Sequence, residues 1–295
     1  MAKGDGGGAE ALDGDFGGEP SRGGLKGEGP LGSKRKRDAG GGEGGEGHHG
    51  GSKTKKGKKE RAATGADEER ARMGSAEGCA SYLWETVTQQ CGPGLHRGPP
   101  EAARFLVPSD GGGSRRGAGI AEGVSALGPV WRKALLGKDP SPGRPRVLVV
   151  CGSALRAVDV CKQLGPTFAP KHKDLHVARL FAKHKKVDDQ IHFLANFKCA
   201  LAVGTPNRVL KLLETRLTGA NGPVAPLDLS DLALIIFDLA LDAKGFHVLS
   251  LKDTRQDVSR LYLDHVHPML TAADAKEGQG PKLWLRPEAP RHIKL

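Results

Sequence analysis

Large aromatic side chains are scarce in this chain: three Trp, two Tyr and eight Phe among 295 residues, or 4%. Only 37% of residues are hydrophobic and 44 are Gly, so a packed core cannot run the whole length. No apolar run approaches the ~20 residues of a membrane-spanning helix. The first residues lack the apolar stretch of a signal peptide. The expectation is a soluble, non-secreted protein with no membrane partner. Cysteine is also sparse: Cys79, Cys91, Cys151, Cys161 and Cys199 are odd in number and form no C-x-x-C pair. Free thiols in a reducing compartment fit this count, with Cys151 and Cys199 as small core residues in apolar strands.

Reactive constellations are missing as well. His172 and His176 lie four apart, but no carboxylate or thiol completes a metal set. His265 and His267 end a helical pattern without visible partners. Ser153 follows a strand and turn, yet V-C-G-S-A is not G-x-S-x-G, so no nucleophile elbow is expected. No catalytic residue, metal, cofactor or small-molecule substrate is therefore expected.

What the chain has in excess is positive charge. The net charge is +11, and residues 144–216 alone hold 14 Lys and Arg against five Asp and Glu, a net +9. A basic surface on a folded segment is the footprint of a phosphate-rich partner, although a merely solubilising surface would look the same. The run KHKK at 183–186 lies in this segment and reads as a solvated face.

Residues 1–75 hold more than half of the glycines, almost no apolar residues and blocks of charge. Such a segment cannot bury enough surface to offset its ordering entropy and is expected to be disordered. Two basic blocks stand out: Lys34, Arg35, Lys36 and Arg37, then Lys53, Lys55, Lys56, Lys58 and Lys59. Clusters of this kind serve nuclear localisation. GEGGEG at 42–47 matches a dinucleotide fingerprint, and GHHGGSKT at 47–54 nearly matches a phosphate loop. Neither follows a strand or opens an apolar helix, so both are compositional chance.

Residues 76–143 read as a poorly ordered lead-in with short helices, one at ASYLWETV (80–87) and apolar turns in VSALGPVWRKALL (124–136). From 144 to 295 order is expected. RVLVVC (146–151), CALAVG (199–204) and LALIIFD (232–238) are runs typical of buried strands. ALRAVDVCKQL (154–164), LHVARLFAKH (175–184), DDQIHFLANF (188–197), Pro206 to about Leu217, and DTRQDVSRLYLDHV (253–266) read as helices. Alternation of this kind implies βαβ crossovers and an α/β fold with one parallel sheet flanked by helices.

Two places invite a functional reading. In AVGTPNR, Thr205 is placed as N-cap and Pro206 as first helical residue, which aims free amides and the positive helix end away from the sheet. Arg208 adds a cation one turn in. Together they could hold one backbone phosphate, or form an ordinary capped helix. Asp238, at the end of IIFD, stands where nucleotide hydrolases keep a metal-binding acid. Leu239, Ala240 and Leu241 follow it, and no segment expected to be ordered offers a phosphate-loop Lys.

The succession strand–CGSALR–helix, GTPNR and IIFDLAL resembles the first RecA-like lobe of DEAD-box RNA helicases, whose boxes there read PTRELA, TPGR and DEAD. Here CGSALR lacks the Thr and Arg of the first box, Asn207 replaces Gly in the second, and FDLAL replaces the third. VLVVCGSALRAVDVCKQL, VARLFAKH and AVGTPNRVLKLLE are more closely similar to the Cms-one family, helicase-like subunits of early small-ribosomal-subunit precursors. The similarity spans about residues 78–265. It implies a degenerate RecA-like lobe over 144–295, in a nuclear and nucleolar protein of pre-ribosomal RNA maturation that is not an active motor. Its implied partners are RNA (pre-rRNA or a small nucleolar ribonucleoprotein) and pre-ribosomal proteins. Since the TPGR box contacts RNA phosphates in the helicases, it implies RNA contact at Thr205 and Arg208, with Gly204 allowing close approach. The alternatives are a protein-interaction scaffold in a nuclear complex without direct RNA contact, and a divergent ATPase using Asp238.

Overall fold

The computed structural model describes residues 68–287, apart from 70, 90–97, 108–118, 138, 169–175, 184, 220–221 and 272–279. Residues 1–67 of the expected disordered tail, both basic blocks, Cys91 and His172 lie outside the described residues. In chain order the elements are α1 (Ala76–Thr88), α2 (Ile120–Ala126), α3 (Pro129–Leu136), β1 (Val147–Cys151), α4 (Ala154–Phe168), β2 (Val177–Leu180), α5 (Val187–Asn196), β3 (Leu201–Gly204) and α6 (Pro206–Glu214). A ribbon of β4 (Leu217–Gly219) and β5 (Gly222–Val224) follows, then β6 (Leu234–Leu239), α7 (Lys252–Arg260), a π-helical turn (Leu261–Val266), α8 (His267–Thr271) and β7 (Lys282–Pro287).

The five-stranded sheet runs β2-β3-β1-β6-β7, and every neighbouring pair is parallel. β1, β3 and β6 are buried along their whole length, because helices cover both faces and leave no solvent side for polar alternation. Alternate residues of one strand serve opposite cores. Leu148 and Val150 join the helices α1, α5, α6 and α7. Val147, Val149 and Cys151 join α2, α3 and α4. The α/β sheet flanked by helices is thus as expected. Leu83 and Val87 of α1 reach the first core and Ala134 and Leu135 of α3 the second, so the described lead-in helices share the cores of the sheet.

Four observations depart from the sequence reading: in the first, the helix expected from Pro206 to about Leu217 ends at Glu214, and Leu217 opens the β4–β5 ribbon. LHVARLFAKH was expected to be a helix, but Val177–Leu180 is an edge strand paired residue for residue with Leu201–Gly204. Ala178 and Leu180 are buried while Arg179 is exposed, the period-two pattern of a strand. Apolar residues at 177, 178, 180 and 181 satisfy either period over so short a run. The helix expected over 253–266 changes at Leu261 into a π-helical turn in which the His267 N–H donates to the Tyr262 carbonyl. The strand β7 was not expected. Its Leu283, Trp284 and Leu285 are buried, and beyond it Phe105 forms a single parallel bridge to Leu283.

Candidate nucleic-acid interface

β3 delivers the chain to the carboxyl edge of the sheet at Gly204. A Cβ there would lie 2.7 Å from the Leu180 carbonyl oxygen and 2.7 Å from a Val209 methyl. Glycine is thus required by the approach of β2 and of the first turn of α6. The Thr205 N–H donates to the Leu180 carbonyl at 3.0 Å, and the Val209 N–H donates to the Thr205 carbonyl at 3.0 Å. Thr205 does occupy the N-cap position with extended backbone, and Pro206 follows it, but the Thr205 side chain makes no capping hydrogen bond. The amides of Asn207 and Arg208, which have no partner within a helix, are left at the positive end of α6 without that cap.

Arg208 is half-buried and held in place. Its Nη1 donates to Gln190 Oε1 at 2.8 Å and to the Lys185 carbonyl at 3.2 Å. Gln190 is 3% exposed, and its Nε2 donates to the carbonyls of Arg179 (2.6 Å) and Phe181 (3.1 Å). The amide thus ties the end of β2 to α5 and turns its oxygen toward the guanidinium. Sequence reasoning passed over Gln190. Its signal was only a polar residue at an inward position of α5. Lys183, Lys185 and Lys186 are exposed on the loop beside it. Gly204, Thr205 and Arg208 therefore stand together at one turn, joined by Gln190 and a lysine loop.

Asp238 is elsewhere on the same edge and is engaged differently. Arg156, two residues into α4, donates through Nε to Oδ2 at 2.5 Å and through Nη2 to Oδ1 at 3.2 Å. Arg286 donates to Oδ1 at 2.8 Å, from the position directly opposite Asp238 in the β6–β7 register. The Asp238 side chain is fully buried and that of Arg286 is 1% exposed. Gly123 of α2 seals this side, since a Cβ there would lie 2.8 Å from the Trp284 ring. Both carboxylate oxygens are thus occupied by guanidinium groups, which oppose cation binding. Among the described residues no group of His, Cys, Asp or Glu is arranged to hold a metal ion. No described helix is long and apolar enough to cross a membrane. The four described cysteines are buried and free. Burial pushes the Cys79 and Cys161 thiols up to about 11 and that of Cys199 to about 12, so they stay protonated and inert at neutral pH.

The CMS1 family model, described as "U3-containing 90S pre-ribosomal complex subunit", matches residues 128–277, from the start of α3 through β1 and β6 and past α8. The chain belongs to this family. Protein CMSS1 of Danio rerio is 52% identical over 68 residues, 23% of this chain and 22% of that protein. Protein CMS1 of Chaetomium thermophilum is 32% identical over 139 residues, 46% of each chain. Protein cms1 of Schizosaccharomyces pombe is 34% identical over 115 residues, 39% of this chain and 37% of that protein. The chain thus spans less than half the length of these relatives. In this CMS1-family chain the matched region contains the Gly204–Arg208 turn, Gln190 and Asp238, whereas β7 and its Arg286 lie past it.

Proposed function

We propose that this protein is a non-catalytic factor of small-ribosomal-subunit biogenesis and pre-rRNA processing that binds RNA or ribonucleoprotein in the nucleus and nucleolus. The family description supports the ribosomal setting. The observation that carries the RNA reading is the uncapped amino end of α6 beside the fixed Arg208. It lies in the segment that holds most of the net positive charge. Backbone amides and a positioned guanidinium are the usual partners of a phosphate, and the lysine loop adds sequence-independent attraction. The non-catalytic reading is supported by Asp238, whose carboxylate is given over to two arginines.

A second reading, a scaffold that docks assembly proteins without touching RNA, is favoured by exposed apolar side chains such as Leu155, Leu241 and Phe246. Purification of the tagged chain from cells with and without nuclease separates the two. RNA binding predicts that co-purifying pre-ribosomal proteins fall away on nuclease treatment and that the purified chain binds single-stranded RNA directly. A complement of proteins unchanged by nuclease, with no direct RNA binding, contradicts it and favours the scaffold.

A further inference from the structure

Helix α5 carries a second feature at the end opposite Arg208. The rings of Phe193 and Phe197 are stacked, with centroids 4.9 Å apart and planes 26° apart. His176, just before β2, stands edge-on to Phe197 at 4.9 Å and to Phe193 at 6.0 Å. Phe193 packs against the core, whereas Phe197, at the C-cap of the helix, is 38% exposed. A phenylalanine gains nothing from solvent at a helix end, where polar residues or glycine are preferred. The cluster therefore presents one aromatic face to solvent, backed by two rings that hold it.

Its position relates it to the phosphate turn. Phe193 and Phe197 lie three and seven residues beyond Gln190, on one stripe of α5. Ten helical residues rise ~15 Å, a span that a few nucleotides of single strand bridge. The cluster belongs to the basic segment 144–216, with 14 Lys and Arg against five Asp and Glu. Lys198 follows Phe197 with its side chain 47% exposed, and its ammonium pairs with Asp139 at 2.6 Å. An apolar protein surface would be ill matched to so basic a segment. A polyanion with flat aromatic groups matches both, because bases stack on aromatic side chains while the backbone follows positive charge.

We propose that His176, Phe193 and Phe197 form a stacking platform for an unpaired nucleobase of the RNA strand whose phosphate lies at Arg208. The platform rests on the RNA-binding reading and narrows it to single strands, since a paired base is stacked inside its helix and cannot reach Phe197. The test uses the full chain with a single-stranded RNA oligomer and a blunt-ended RNA duplex, titrated at several salt concentrations. Phe197→Ala and Phe197→Leu weaken single-strand binding by roughly five- to tenfold and leave the salt slope unchanged, while Phe197→Trp retains affinity. Duplex binding does not respond to these changes. Thermal unfolding checks that the variants are folded, and Phe197→Leu preserves apolar packing in any case. Wild-type affinity in Phe197→Leu, or an equal loss on the duplex, overturns the platform and leaves RNA binding at Arg208 standing. Failure of the unaltered chain to bind any single strand removes the underlying reading as well.

Discussion

Asp238 stood in the sequence as an isolated acid at a strand end, and in the fold it is the centre of a three-residue ion cluster. Removing a carboxylate from buried guanidinium groups costs far more than a surface ion pair, because the cations stay desolvated. Asp238→Ala is expected to lower stability by about 3–5 kcal/mol, read as a shifted midpoint in urea unfolding, with Asp238→Glu recovering part of it. An unshifted midpoint would show that the cluster is not structural. The partners were invisible in the sequence for a plain reason. Arg286 sits 48 positions away on a strand that carries Lys at one end and Arg near the other, and Arg156 lies 82 positions away. Gln190 escaped notice for the same cause, since an amide shows its value only through tertiary partners. Thr205 and Arg208 were legible because Thr-Pro before an amphipathic run encodes a helix start locally.

The same contrast holds for whole elements. β1, β3 and β6 were readable from continuous apolar runs, while β2 was mistaken for a helix because four residues cannot settle a period. Tertiary pairing with β3 decides it. The segment before α1 is fixed by a contact that no pattern signals. Glu69 accepts hydrogen bonds from the Tyr82 hydroxyl of α1 and from His247 Nε2, the latter at 2.7 Å. The Leu249 N–H donates to His247 Nδ1 at 3.2 Å, which leaves Nε2 as the protonated nitrogen. Burial alone would raise the Glu69 carboxyl, but the bonds from His247 and Tyr82 and the charge of Arg72 outweigh it and hold it below its ordinary value of 4.5. A depressed carboxyl stabilises the fold fully above that ordinary value, and this contribution is lost as pH falls through the lower folded value. Glu69→Gln should therefore flatten the stability loss below about pH 4.5, measured by chemical unfolding from pH 7 to pH 3. A loss as steep as in the unaltered protein would contradict this contact.

At the scale of the molecule, the sequence made the charge distribution plain but not its geometry. Net charge on residues 144–216 can be counted, yet only the fold brings the lysine loop after β2 and the amino end of α6 together at the carboxyl edge of the sheet, while α5 runs back from there to carry its aromatic end to the opposite edge. The central claim is that the carboxyl edge holds an RNA backbone at Arg208, oriented by Gln190. Equilibrium binding of single-stranded RNA as a function of salt tests it most directly. The account predicts a steep linear fall of log affinity with log salt, and a slope lower by about one in Arg208→Ala. Gln190→Leu should bind more weakly while keeping most of that slope. An affinity that barely changes with salt, or an Arg208→Ala protein with the slope and affinity of the original, would contradict it.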